Sequence, residues 1–278
     1  MSSKEIQVRQ NQELQLKIQY AARECYNTAE KLNYWVWGLC ILSFVIGFLP
    51  NESGSVLLSV GSILCDVLAF LLNIALVKMN SNAAMLRKHF DDCVLKIGCE
   101  ECSTSRETFE LVEKICAKHP QKFATQIKNS GNDSPPGVKD WYSFSKKYEC
   151  QRMNAWWDSK LSQWRLGLAI TSTVILMGAV FYLVPIKGIW TIIVCLVGIM
   201  LKLIERAREY ILYYQLSYKI SGVMEIIRLN QPPDEKALVV LQDLINQRRS
   251  TSVFGVNFVY EKLAKPLTDL YRRISEQA

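Results

Sequence analysis

Histidine is nearly absent from this chain: His89 and His119 are the only two in 278 residues. That scarcity limits histidine-based acid–base chemistry and histidine-rich metal centres. There is no glycine-rich phosphate loop, no Gly-x-Ser-x-Gly turn and no His-Glu-x-x-His pair. The usual signatures of nucleotide hydrolases, serine hydrolases and zinc proteases are therefore missing, so no enzyme activity, catalytic residue or cofactor is expected. The nine cysteines are odd in number and none falls in the two short turns at 50–54 and 185–188. A disulfide framework is not expected, and a reducing compartment fits better. Nor is a cleavable leader expected, because the first 33 residues are polar and hold four glutamates.

What the chain does have is four uncharged or nearly uncharged apolar blocks. The first runs over Tyr34–Leu49, the second over Val56–Val77, the third over Leu166–Val184 and the fourth over Ile189–Ile204. At 1.5 Å rise per residue the first covers roughly 24 Å, close to the thickness of a bilayer core. Tyr34, Trp35, Trp37, Trp164 and Trp190 stand at block ends, as interfacial aromatics do. Only Pro50–Gly54 separates the first pair and only Pro185–Gly188 the second. The pattern predicts an all-α, polytopic membrane protein with two transmembrane hairpins and a helical cytoplasmic domain. Its segments are an N-terminal cytoplasmic helix over 1–33, hairpin one over 34–77, a helical middle segment over 78–165, hairpin two over 166–204 and C-terminal helices over 205–278.

Charge sets the expected orientation. The formal net charge is +7, and of 33 Lys and Arg residues only Lys187 lies in either turn. Lys31, Lys78, Arg87, Lys88, Lys160, Arg165, Lys202, Arg206 and Arg208 cluster near the opposite ends of the blocks. By the positive-inside rule both termini and the middle segment are expected to face the cytoplasm. The basic flanks suit anionic lipid better than nucleic acid, so no direct nucleic-acid binding is expected.

The second block carries a polar stripe. Ser55, Ser59, Ser62, Asp66, Ala69 and Asn73 are spaced 4, 3, 4, 3 and 4, which puts them on one helix face. Asp66 falls near mid-membrane, where a carboxylate is costly unless protonated, paired or wet. Two readings stay open: the stripe faces an aqueous path or subunit interface, or it clamps neighbouring helices. In the fourth block Thr191, Cys195, Gly198, Lys202 and Glu205 also share a face. One four-helix chain fills its own interior with side chains, so a conducting hole needs several copies and a homo-oligomer is expected.

Outside the blocks the sequence reads as helix. Residues 5–33 place Leu14, Ile18, Ala21, Ala22, Cys25, Ala29 and Leu32 on one apolar face. This helix is expected to run into the first block, the second block to continue through Met79–Ile97, and the fourth through Arg206–Leu229. A loop is expected over Asn129–Gly137 and a helix after Asp140, in which Arg152, Asn154, Trp157 and Asp158 form a possible ligand or gating set. Such a helix can stack on and hydrogen-bond a nucleotide, or simply pack beside the membrane. A further helix is expected over Asp234–Gln247 and another over Asn257–Ser275. Cys99-x2-Cys102 and Cys116-x2-His119 have zinc-ligand types. Buried unliganded cysteines are the preferred reading, and no metal is expected.

This layout resembles the SMODS-associated four-transmembrane effector family over nearly the whole chain. The resemblance rests on the two separated hairpins, on Tyr26, Ala29 and Lys31, on Asp140-Trp141-Tyr142, and on Cys150-Gln151-Arg152 with Asn154, Trp157, Asp158 and Leu161 before the third block. It implies anti-phage defence. A nucleotidyltransferase that senses infection makes a cyclic oligonucleotide, and the membrane protein answers by permeabilising the inner membrane, so that the infected cell dies or stops growing. The alternative is a non-conducting scaffold or receptor that relays a signal to a protein partner.

Overall fold

The computed structural model describes residues 3–48, 55–98, 102–118, 120–128, 147–152, 155–156, 159–160, 166–167, 170–171, 173–175, 178, 182, 189–230, 234–251, 266–267, 269–270 and 273. All secondary structure among them is helical, as the sequence predicts. In chain order the helices are α1 (Ser3–Gln10), α2 (Glu13–Phe48), α3 (Ser55–Leu95), α4 (Arg106–Lys118), α5 (Pro120–Lys128), α6 (Ile189–Leu229) and α7 (Glu235–Ser250). The chain divides into two compact units. Unit 1 gathers Met1–Asn27, Met79–Asp158 and Gln215–Thr251; unit 2 gathers Thr28–Lys78, Ser159–Tyr214 and Ser252–Ala278.

The three long helices carry out the expected continuations, and each contributes residues to both units. Their buried positions recur every seven residues. In α2 these are Gln15, Ala22, Ala29, Val36 and Ser43. In α3 they are Ala69, Leu76, Ala83 and Phe90, and in α6 Ile199, Arg206, Tyr213, Ile220 and Ile227. A seven-residue period keeps one seam of a helix against its neighbours over many turns. Small residues dominate the seam of α2, which permits close helix approach.

The helix expected over residues 5–33 is interrupted. The Gln12 N–H bonds the Arg9 carbonyl at 3.1 Å, and the Gln12 carbonyl accepts from Leu16 N–H at 3.0 Å, so α1 ends and α2 begins there. Gln10-Asn11-Gln12 offers no apolar seam residue, and asparagine competes for its own backbone groups. At the other end of the motif α3 stops at Leu95 through Lys96, at φ 50°, whose N–H bonds the Asp92 carbonyl at 3.1 Å. That is the left-handed helix-ending bond. Gly98 follows at φ +68°, where an added Cβ would meet Val239 Cγ2 at 2.7 Å. Only glycine fits both the backbone and the space there.

Unit 1 closes over a core that includes Ile18, Ala22, Phe90, Val112, Cys150, Ile220 and Leu241. α7 is capped by Asp234, whose carboxylate accepts from Lys236 N–H at 3.3 Å. Glu235 accepts from Lys147 Nζ at 3.0 Å and from Gly98 N–H at 3.4 Å, and Lys147 also donates to the Lys96 carbonyl at 2.8 Å. The end of α3, the residue-147 helix and the start of α7 are thereby joined. Unit 2 has a small core of Val36, Cys40, Ala69 and Ile199. The loop expected over 129–137, the Asp140 cap, both turns and most of the third block and of the 257–275 helix lie outside the described residues.

Candidate functional site

Among the described residues of unit 2, α3 presents an apolar outer face while several polar side chains lie inward, beside the small apolar core. On α3 Ile63, Leu64, Val67, Leu68, Phe70 and Leu71 are all exposed. Val60–Leu95 is the one stretch among the described residues long and apolar enough to cross a membrane, and only 17% of its most apolar window is buried. A soluble core helix hides such a face; this one presents it. The stripe read from the sequence turns the other way. Ser62 meets Ser43 of α2, their hydroxyls 2.8 Å apart, and each hydroxyl also donates to the other residue's carbonyl at 3.3 Å. Asn73 Nδ2 donates to Glu205 at 3.1 Å, and Lys202 Nζ donates to Asn73 Oδ1 and to Glu205 at 2.9 Å.

The polar faces of the second and fourth blocks therefore meet. Lys202 is 5% exposed, and an ammonium so buried needs its charge balanced and its donors used. Glu205 and Asn73 do both. Arg206 continues the cluster by donating to Asn33 Oδ1 of α2. Asp66 is the exception: its Oδ1 is buried with no hydrogen-bond partner among the described residues. An unsatisfied buried acceptor costs about 1–3 kcal/mol. The side chains of Ser59, Thr191 and Cys195 lie outside the described residues.

In unit 1 the expected ligand set is described only at Arg152, which is half-buried; Asn154, Trp157 and Asp158 lie outside the described residues. Its neighbours Cys150 and Gln151 are fully buried. Gln151 Nε2 donates to the Leu238 carbonyl at 3.1 Å and to Gln242 at 3.0 Å. Gln242 Nε2 donates to Asp91 at 3.0 Å, and Arg249 also pairs with Asp91. Gln151 of the Cys150-Gln151-Arg152 string thus ties the fold together; the sequence placed it in that motif without giving it a structural role. Its position among core residues of the helix was the available signal.

One disulfide joins Cys93 to Cys102, with Cα atoms 5.2 Å apart. This corrects the expectation of unbridged cysteines: Cys102, in the non-helical segment before α4, pairs with Cys93 near the end of α3, nine residues away, and not within the Cys-x2-Cys spacing. Cys116 stays unbridged and buried, its sulfur 4.0 Å from the Lys17 carbonyl. Burial pushes the Cys25 and Cys116 thiols up to about 11, so both are unreactive. Cys99 and His119 lie outside the described residues.

No curated protein and no solved structure matches the chain. A family described as the SMODS-associating 4TM effector domain matches residues 4–277. That is nearly the full length, and it agrees with the exposed apolar face of α3. The chain belongs to the SMODS-associating 4TM effector family, and is a membrane effector linked to signalling by SMODS nucleotidyltransferases.

Proposed function

We propose that this protein is a pore-forming or membrane-disrupting effector of anti-phage signalling, gated by a cyclic oligonucleotide bound to its cytoplasmic region. It spans the bacterial inner membrane four times with both termini inside, rests its basic flanks on anionic lipid, and conducts as a homo-oligomer. The observation that carries this reading is Asp66: a carboxylate oxygen buried without a partner among the described residues, on a helix whose outer face is apolar. A neighbouring copy or a file of water supplies what the described residues of one chain do not. The Asn73–Lys202–Glu205 cluster adds a second polar level on the same helices. Three helices shared by both units provide covalent continuity for a gating signal.

Purified protein in anionic liposomes tests this. Cyclic oligonucleotides should release an entrapped dye, and Asp66→Asn should change the rate. Absence of leak with every cyclic oligonucleotide tried would refute the proposal. The second reading, a non-conducting scaffold, is favoured by the Ser43–Ser62 and Asn73–Lys202 pairs, because those stripe residues are satisfied within one chain. It predicts ligand-dependent recruitment of a soluble partner and no leak.

A further inference from the structure

His89, Cys93 and Cys102 form a compact cluster in unit 1 that the effector role does not use. His89 and Cys93 stand four residues apart on α3, hence on one face, and Cys102 comes from the non-helical segment before α4. One ligand atom from each lies within 4.8 Å of the others. Cys93 Sγ is 3.6 Å from His89 Nε2, and Cys102 Sγ is 3.9 Å from His89 Nδ1. Zinc bonds of about 2.3 Å to sulfur and about 2.0 Å to nitrogen leave tetrahedral ligand atoms roughly 3.5–3.8 Å apart. The sulfurs lie against different nitrogens of one imidazole, so Cys102 already stands near ligand spacing from Nδ1, and Cys93 is placed to join it once the bridge opens.

The surroundings supply the rest of such a site. Thr104 Oγ1 lies 2.9 Å from His89 Nε2. With Nε2–H donating to that hydroxyl, Nδ1 keeps its lone pair for a metal, the orienting arrangement common to metal-bound histidines. A cavity of about 500 Å³ opens beside both cysteines, lined also by Arg9, Gln15, Lys96 and Thr104. It gives an ion access and leaves a fourth position to solvent. Cys102 sits outside any helix and can separate from Cys93 without unwinding α3.

We propose that His89, Cys93 and Cys102, once the disulfide is opened, bind one thiophilic divalent cation of the zinc type per chain. A dithiol reductant of the cytosol supplies two electrons and two protons, converting the Cys93–Cys102 bond to two thiols while its own pair becomes a disulfide. Metal binding then releases the two thiol protons and forms two metal–sulfur bonds and one metal–nitrogen bond. The oxidised, metal-free pair and the reduced, metal-bound pair are alternative states of one site. This inference stands apart from the pore reading, since its readout is metal content rather than leak.

Full-length protein in detergent is reduced without oxygen and titrated with cobalt, whose ligand-field and thiolate charge-transfer bands report the donor set. One cobalt per chain with thiolate bands is expected, displaced by zinc. Cys93→Ser and Cys102→Ser should abolish the bands, His89→Gln should weaken binding at least tenfold, and Cys116→Ser should change nothing. Mass spectrometry of the unmutated protein covers the case in which a variant does not fold: zinc should slow alkylation of Cys93 and Cys102 in the reduced chain, and a chelator should restore it. Cobalt uptake by the reduced wild type no greater than by Cys93→Ser, or unchanged alkylation with zinc, overturns the proposal.

Discussion

Lys202 shows how a single charge is carried inside an apolar helix bundle. Its ammonium is balanced by Glu205 and hydrogen-bonded to Asn73. Removing the cation leaves Glu205 charged and without its main partner, which is costlier than removing the pair. Lys202→Met should therefore destabilise the protein by about 1–3 kcal/mol, and the double variant Lys202→Met/Glu205→Gln should recover part of that loss in detergent unfolding. Equal loss in both would contradict the pairing. Asn73 and Lys202 were each visible in sequence as members of a polar face. Their meeting was not, because spacing fixes the face of a helix and says nothing about which neighbour it meets.

Lys17 of unit 1 gives a test by pH. Its ammonium donates to Glu113 at 2.8 Å and lies 3.4 Å from Glu13. The hydrogen bond to Glu113 raises its pKa above the ordinary 10.5, against an opposing push from burial. A base held more strongly protonated in the folded state adds stability that is complete below the unfolded value and disappears as pH rises through the folded one. Melting temperature should accordingly fall on the alkaline side above about 10.5, and Glu113→Gln should shrink that fall. An alkaline profile identical in the two proteins would argue against the contact.

At the scale of elements, helix ends are set by local chemistry that sequence displays well. Asp234 was legible as the start of a helix, and it caps α7 through the Lys236 N–H. Asp234→Ala should cost about 1 kcal/mol and Asp234→Ser much less, with hydrogen exchange accelerating at the first turn of α7. No change on alanine substitution would mean the cap contributes nothing. The continuations of α2, α3 and α6 past the apolar blocks were equally legible, since no proline interrupts them and Gly222 is the one glycine within them. The seven-residue burial period was harder to see. Its seam mixes Gln15, Ser43, Arg206 and Tyr213 with alanines and aliphatics, so no hydrophobic repeat stands out. The break at Asn11–Gln12 and the Cys93–Cys102 bridge depend on packing and on long-range proximity, which pattern alone does not carry.

For the whole molecule, the decisive feature is an inversion of the usual arrangement. Unit 2 exposes aliphatic side chains along α3 and buries Ser43, Lys202 and one carboxylate oxygen of Asp66 that has no hydrogen-bond partner among the described residues. Unit 1 is built the ordinary way, with an apolar core tied by the buried Gln151–Gln242–Asp91–Arg249 chain. A membrane effector needs both kinds of unit, one to meet lipid and one to receive a signal. The Arg152 neighbourhood is where the receiving surface is sought; the buried half of that same string explains why it is also a folding element.

Current across a planar bilayer containing the purified protein measures the proposal most directly. The account predicts silence in the absence of nucleotide, discrete current steps after a cyclic oligonucleotide is added on the cytoplasmic side, and an altered step size or open time in Asp66→Asn. A wild-type protein that inserts, binds the nucleotide and still passes no current would contradict it.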